Sequence, residues 1–376
     1  MSTSERTTPV SVLDTGHDRV NGLVAFAEAV LPTLRVESGL FCFDRSFDST
    51  ELRGESVRYS LMVLLGALRR AAHRGVPPVD IEGLHHVIAS RRDALGVGDL
   101  GLLLWAEARM GLDSAGATIA RLEHRSRDGA ALARLEGMEI AWFVLGAVGA
   151  TAADLPARKI FDRAFGHLRR RRSPSSPLFR HTGRGRGRAL LPNFATQIYS
   201  LLALAETARH GLRSKATEQA RALADTLIAL RLPDGGWPWL FHADRAVVVE
   251  PYEIYSVHQD AMAPMALFAL AEVTDDPSYA QAGVEGLDWC FGRNELGFRF
   301  YDPVNAFAHR SIRRRGWAHN ANLWANALIG GTLGLSARTG LGGVEVHATC
   351  RPYHLGWVLE AWSGREHLAS PSATGS

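Results

Sequence analysis

The densest group of side chains able to move protons lies between residues 250 and 260, directly before an apolar segment. It contains the candidate catalytic residues Glu253, Tyr255, His258 and Asp260. Carboxyl, imidazole and phenol groups act as general acids and bases when they lie within hydrogen-bond reach of a reacting group. This stretch therefore indicates acid/base chemistry, and Gln259, which stands among these residues, is a candidate for binding the substrate.

Apolar segments of a similar kind recur along the chain. Seven of them are rich in small residues, at 59–68, 100–110, 139–149, 197–208, 260–273, 322–335 and 353–362. A helix that is apolar nearly all round is buried on both sides. Amphipathic segments alternate with them, at 20–34, 80–95, 113–126, 156–170, 215–232 and 278–292. This alternation, with a loose period of roughly 40–60 residues, predicts buried inner helices paired with amphipathic outer ones.

Two all-α architectures fit such a pattern: an open α-solenoid and a closed (α/α)6 toroid. Solenoids normally have a tight repeat length and a consensus. Here the spacing is irregular and the long connections fall just before inner helices, where long loops usually serve function. We therefore expect a toroid. Residues 18–368 are predicted to form a single toroid domain, between a flexible N-terminus at 1–17 and a disordered tail at 369–376.

The toroid would gather the starts of its inner helices. If these helices run parallel, as closure of the ring requires, their N-terminal ends meet at one mouth. The candidate site residues brought together there, besides those at 253–260, are Arg58, Tyr59, Glu139, Asn320 and His354. The helix dipole disfavours a cation at such an end, so Arg58 and the two histidines need a carboxylate partner or a substrate.

Each of these residues also has a purely structural explanation. Polar side chains collect at helix N-termini because the first turn has unpaired N–H groups, so Asn193 and Asp260 are equally well explained as caps. For Arg58, a buried ion pair with a neighbouring acid is the alternative.

Two loops carry further candidates for substrate binding. In PDGGWPW, residues 233–239, Pro ends a helix and Gly-Gly supplies a tight turn, which is expected to present Trp237 and Trp239 on the rim. Buried anchoring tryptophans are the alternative. The arginine-rich segment 167–197, which contains Arg180, is either a solvated excursion or a lid that holds an anionic ligand.

Composition excludes several classes of protein. A formal net charge of +3 in 376 residues gives no general support for nucleic-acid binding. Three scattered cysteines do not make a disulfide framework, and they fit a reducing compartment. No apolar run approaches the roughly 20 residues of a membrane span. A soluble, cytoplasmic protein is expected. No cofactor is expected, because no P-loop or dinucleotide fingerprint is convincing.

The turn RLPDGGWPW resembles turns of alpha/alpha-toroid enzymes, namely the six-hairpin glycosidases, polysaccharide lyases and sugar epimerases. Terpenoid cyclases and protein prenyltransferases carry similar turns. In the epimerase-like group, an arginine on the first inner helix and two histidines on later ones face the reacting carbon, and Arg58, His258 and His354 lie at similar places.

The prenyltransferase relatives bind zinc through an Asp-x-Cys pair and a later histidine, and Asp288, Cys290 and His354 have a similar separation. However, Asp288 and Cys290 fall in an outer-helix pattern, from which a metal in the ring cannot be reached. We therefore expect no metal.

The predicted function is that of a carbohydrate-active enzyme whose oligosaccharide or small-molecule substrate, anionic or neutral, binds inside the ring. Cleavage needs two carboxyl groups roughly 5–10 Å apart, for which Asp260, Glu253 and Glu139 are candidates. Elimination or epimerisation needs a base, such as His258, His354 or Tyr255, with a cation stabilising the developing charge.

Two other functions stay open. An isoprenoid cyclase or prenyl transferase on the same toroid would use an aromatic lumen to stabilise carbocations. A non-catalytic helical scaffold would be an open superhelix without a shared cavity.

Overall fold

Helices make up most of the chain in the computed structural model, which describes residues 16–369 except 75, 184–186, 316–325, 328, 330–331 and 338–342. In chain order they are α1 (Gly16–Val30), α2 (Val57–Arg74), α3 (Ile81–Ala89), α4 (Val97–Met110), α5 (Ala115–Arg125), α6 (Gly129–Arg134), α7 (Gly137–Ala152), α8 (Arg158–Arg169), α9 (Phe194–Arg209), α10 (Ala216–Ala229), α11 (Ala263–Thr274), α12 (Pro277–Val284), α13 (Leu287–Cys290) and α14 (Pro352–Trp362). A π-helical turn, His258–Met262, precedes α11.

Six of the described helices close into a ring. Helix α2 contacts α4, which contacts α7, and contacts continue through α9 and α11 to α14, which packs back against α2. Nearly every residue in the middle of these helices is buried, as their all-round apolar sequences require. An outer helix packs on each of them: α3 on α2, α5 on α4, α8 on α7, α10 on α9, α12 on α11 and α1 on α14.

Glycines allow the inner helices to approach closely. A methyl group added at Gly66 of α2 would overlap the carbonyl oxygen of Gly356 on α14, and one at Gly146 of α7 would overlap that of Gly101 on α4. The small residues of the inner segments thus permit backbone-to-backbone packing.

Among the described residues, ten short strands lie in the connections that enter the inner helices. They are β1 (Asp44–Ser46), β2 (Leu52–Arg53), β3 (Leu240–His242), β4 (Val247–Glu250), β5 (Ile254–Tyr255), β6 (Tyr301–Asp302), β7 (Phe307–Ala308), β8 (Ser311–Arg314), β9 (Val344–His347) and β10 (Thr349–Cys350). They pair antiparallel in the orders β10-β1-β2, β3-β4, β5-β8-β9 and β6-β7. In the third of these sheets Tyr255, Ser311 and His347 lie side by side.

The (α/α)6 toroid predicted from the sequence is therefore confirmed. The six described inner helices close the ring by the contact of α14 with α2; the predicted inner segment 322–335 lies partly outside the described residues, and its described side chains Leu333 and Leu335 are exposed. The single-domain boundaries stay a prediction. None of the described helices combines the length and apolar composition that a membrane crossing requires.

Candidate active site

A cavity of about 900 Å³ lies where the N-terminal turns of all six inner helices meet. Each inner helix contributes to its wall, with Arg58 and Tyr59 from α2, Asp99 from α4, Trp142 from α7, Tyr199 from α9, His258 and Met262 from the turn before α11, and Tyr353 from α14. The predicted convergence of helix starts at one mouth is thus present. Loop residues, among them Trp239 and Tyr255, complete the wall.

Arg58 links two carboxylates at one side of this cavity. Its Nε donates to Asp99 Oδ1 at 2.7 Å, and its Nη2 donates to Asp99 Oδ2 at 3.3 Å and to Glu139 Oε1 at 3.2 Å. Burial alone would lower the pKa of Arg58, but the two carboxylates more than offset this and raise it. The ion pair that was the structural alternative for Arg58 therefore exists, and it lies in the cavity wall.

Glu139 itself does not line the cavity. Its second oxygen, Oε2, accepts from the backbone N–H of Glu136, which completes a capping box at the start of α7. It reaches the cavity through Arg58, whereas Asp99 lines the wall directly. Sequence reasoning missed Asp99, although it stands in the first turn of an inner helix, the same signal that identified Glu139.

His258 lies on the α11 side of the ring, and α11 is opposite α4. The imidazole is 3% exposed and packs against the rings of Phe194, Tyr255 and Trp239, with centroids 4.7, 4.9 and 5.9 Å away. Burial lowers the pKa of His258 to about 3. Its Nδ1 is buried and has no hydrogen-bond partner among the described residues. The cavity thus contains a neutral imidazole.

Glu253 supports Tyr255 from behind the wall. Its carboxylate accepts from Tyr255 Oη at 2.8 Å, from Ser311 Oγ and from His347. Burial alone would raise the pKa of Glu253, but the hydrogen bonds from His347, Ser311 and Tyr255 lower it to about 2. In the structure Glu253 orients Tyr255 and does not line the cavity, and its catalytic role stays a prediction.

Asp260 and His354 face each other in the interior, away from the cavity. His354 Nε2 is 2.9 Å from Asp260 Oδ1, and Tyr301 Oη and Cys290 Sγ donate to Asp260 Oδ2 at 2.7 and 3.1 Å. Asp260 is fully buried and His354 is 4% exposed, and neither lines the cavity. The structure thus does not bring them to the cavity wall with Tyr255 and His258, and their catalytic role stays a prediction. The pair instead joins the start of α11 to α14.

Of the two predicted rim tryptophans, only Trp239 lines the cavity. Trp237 is 1% exposed and packs against Phe194 and the guanidinium group of Arg231, so the structure places it as a buried anchor and not on the rim. Gln259 is also absent from the cavity wall. Its buried amide accepts from the N–H of Trp237 and donates to the carbonyl of Tyr255.

Arg180 also lies outside the cavity. It forms a two-pronged ion pair with Asp244, in which both carboxylate oxygens accept from its guanidinium group. In the structure Arg180 holds the arginine-rich loop against the β3–β4 hairpin, and its role in substrate binding stays a prediction. Asn320 lies outside the described residues.

Further wall residues were not singled out from the sequence. They include Trp142, Tyr199, Arg91 and Arg310. Arg91 and Arg310 come from connections, whose course a periodicity cannot give. Trp142 and Tyr199 lie in the second turns of apolar helices, where nothing in the sequence distinguishes them from residues of the hydrophobic core. Within the described residues no group of three or more His, Cys, Asp or Glu side chains is arranged to hold a metal ion.

No family model matches the sequence, and no curated protein matches it either. Solved structures do. An unsaturated glucuronyl hydrolase specific for heparin superposes with a TM-score of 0.65 at 14% identity, over 92% of this chain and 96% of its own. Cellobiose 2-epimerase from Bacillus thermoamylovorans gives 0.62 at 9% identity, over 92% and 99%. A sugar epimerase from a ruminal bacterium gives 0.61 at 11% identity, over 92% and 98%. The chain therefore shares the (α/α)6-toroid fold of carbohydrate-active enzymes, the group that its Gly-Trp turn resembles.

Proposed function

We propose that this chain is a carbohydrate-active enzyme that performs acid/base chemistry on a saccharide inside the ring. The observation that carries the proposal is the shared cavity in which Arg58, paired with Asp99 in the wall and with Glu139 behind it, lies across the ring from Tyr255 and His258. The similar structures, a glucuronyl hydrolase and two sugar epimerases, support the same class of substrate.

The residues have different parts in this proposal. Asp99 is the carboxylate that exchanges a proton with the sugar, because it lines the cavity. Arg58 is paired with Asp99 and offsets negative charge that develops on the substrate. Tyr255, oriented by Glu253, donates or accepts a proton from the opposite side. Trp239 offers a face on which a sugar ring can stack.

The geometry suits more than one reaction of this class. Asp99 Oδ2 and Glu139 Oε1 share one guanidinium nitrogen, so they lie within about 6.5 Å of each other, near the separation of carboxyl pairs that flank a scissile glycosidic bond. The imidazole of His258 is neutral and can accept a proton, which elimination and epimerisation also require, but its pKa of about 3 makes it a weak base. An experiment that identifies the product therefore distinguishes hydrolysis, elimination and epimerisation.

One observation favours a second candidate, an isoprenoid cyclase or transferase. Among the described residues the cavity wall has seven aromatic side chains and one carboxamide, that of Asn193, whose oxygen is already used to cap α9. Aromatic faces stabilise carbocations. The same wall also carries four arginines, including Arg58, which would repel a carbocation.

The decisive experiment incubates the protein with neutral and acidic disaccharides in D₂O and follows the products by NMR. Hydrolysis releases monosaccharides without deuterium on carbon, elimination gives an unsaturated sugar, and epimerisation exchanges a carbon-bound proton. We expect one of these reactions, and we expect Asp99→Asn to lower kcat about 10²- to 10⁴-fold.

Asp244→Asn is the matched control, because it removes a carboxylate from an arginine pair outside the cavity. It is expected to retain kcat. If no saccharide reacts and a prenyl diphosphate is turned over, the second candidate replaces the first.

We further infer a cytoplasmic location. Cys42, Cys290 and Cys350 are all unpaired and buried, which suits a reducing compartment.

A further inference from the structure

The arginines of the cavity wall fall into two classes. Arg58 is paired with Asp99 and Glu139, and Arg91 is paired with Glu55. The other two, Arg310 and Arg351, form no ion pair with a carboxylate among the described residues. Two of the four guanidinium groups in the cavity wall therefore have no carboxylate partner among the described residues.

Arg351 is held by aromatic groups. It donates to the hydroxyl of Tyr59, and its guanidinium carbon lies 4.4 Å from the ring centroid of Phe43. Its Nε is buried and has no partner among the described residues. These contacts fix the position of the guanidinium group without neutralising its charge.

Arg310 is held in the same manner. Its Nη2 lies 3.5 Å from Tyr255 Oη, its guanidinium carbon lies 5.0 Å from the centroid of that ring, and its Nε is buried without a described partner. The charge of Glu253 acts on Arg310, but the Tyr255 hydroxyl lies between the two groups, and the carboxylate of Glu253 also accepts from Ser311 and His347.

The backbone places the two arginines in one part of the wall. The N–H of Arg310 donates to the carbonyl of His347, four residues before Arg351, and the ring of Tyr59, whose hydroxyl accepts from Arg351, lies 4.7 Å from the ring of Tyr353. Burial raises the pKa of Tyr353 to about 12, and the charges of Arg310 and Arg351 act to lower it. A partly buried cation without a counter-ion is unfavourable, and a bound anion would relieve that cost.

We propose that Arg310 and Arg351 form a subsite for an oxyanion substituent, so that the preferred substrate is an acidic saccharide. This inference rests on the proposed function. The planar fork of a guanidinium group matches a carboxylate or sulfate through two parallel hydrogen bonds. Because Arg351 precedes α14 and Asp99 begins α4, the charged substituent points towards α14, and the reacting bond lies towards Asp99 and His258.

The test measures binding by calorimetry for three disaccharides of the same linkage: a neutral one, one with a terminal uronic acid, and one with a terminal sulfate. We expect an acidic disaccharide to bind about 10- to 100-fold more tightly than the neutral one, with an advantage that shrinks at high salt. The tighter of the two acidic ligands identifies the oxyanion.

Two variants locate that preference. Arg310→Gln and Arg351→Gln are each expected to bring the ratio of acidic to neutral affinity close to one. Arg91→Gln is the matched control, since it removes a cavity arginine whose charge Glu55 already neutralises, and it is expected to keep the ratio. Thermal unfolding checks that each variant is folded, and Arg351→Lys, which keeps the charge but loses the fork, should give an intermediate ratio.

The outcomes separate the subsite from the proposed function. Equal wild-type affinities for acidic and neutral sugars, or a preference that survives both substitutions, overturn the subsite while saccharide binding stands. Binding of a prenyl diphosphate and of no saccharide overturns both.

Discussion

The ionisable residues around the cavity differ in how their charge is compensated. Arg58 is charged and paired, Glu253 is charged and saturated with hydrogen bonds, and His258 is neutral because it is buried among aromatic rings. The neutral imidazole has a consequence for stability that can be measured without a substrate.

Stability should fall in acid because of His258. Its pKa is about 6.5 in an unfolded chain and about 3 in the fold, so between these values only the unfolded state takes up the proton. The neutral imidazole therefore contributes fully to the free energy of unfolding above pH about 6.5. This contribution is lost as the pH falls towards 3, and the free energy of unfolding decreases by up to about 1.4 kcal/mol per pH unit. Urea unfolding of wild type and His258→Gln at several pH values measures the difference. Parallel curves for the two proteins would contradict the assignment.

Elements were easier to predict from the sequence than the side chains that face the cavity. The alternation of apolar and amphipathic segments sufficed for six inner and six outer helices, and polarity at helix starts located Arg58 and His258. The same rule would have identified Asp99. It could not tell which of Trp237 and Trp239 lines the cavity. Both lie in an irregular turn, where no periodicity in the sequence indicates the direction of a side chain.

Asp260 illustrates a second limit. A carboxylate at a helix start has the same sequence signature whether it faces a cavity or the interior. The π-helical turn at His258–Met262 and the partners of Asp260 on α13 and α14 decide this, and they come from segments distant in sequence.

Closure of the ring depends on helices α2 and α14 touching through Gly66 and Gly356. Gly66→Ala should therefore lower the free energy of unfolding by about 1–3 kcal/mol, because the added methyl group must push the two backbones apart. Denaturant unfolding measures it. The matched control is Gly116→Ala on outer helix α5, where an added methyl group meets nothing within 4 Å. This change should be neutral or slightly stabilising, and an equal loss in both variants would contradict the close contact as its cause.

The two ends of the ring differ across the whole molecule. At the end opposite the cavity, Arg109 from α4 pairs with Glu360 of α14, and Arg365 and Arg209 both pair with Glu272 of α11. Cations at the C-terminal ends of helices complement the dipole, so these pairs join helices there without a ligand. The cavity lies at the other end, where the N-terminal turns of the inner helices meet. There a bound ligand would provide the contacts between helices that ion pairs provide at the C-terminal end.

A bound saccharide should therefore rigidify the cavity end of all six helices together. Hydrogen exchange followed by mass spectrometry should show ligand-dependent protection at 55–62, 96–99, 138–142, 193–199, 255–262 and 351–353, which are separate in sequence and meet at the cavity. The C-terminal turns, already joined by ion pairs, should change little, because opening there does not release the ligand. A sugar that does not bind serves as the control. Protection confined to α2, α4 and α7 would mean that the ligand contacts one side of the ring only, and would contradict a site in which Asp99 and His258 act on one substrate from opposite walls.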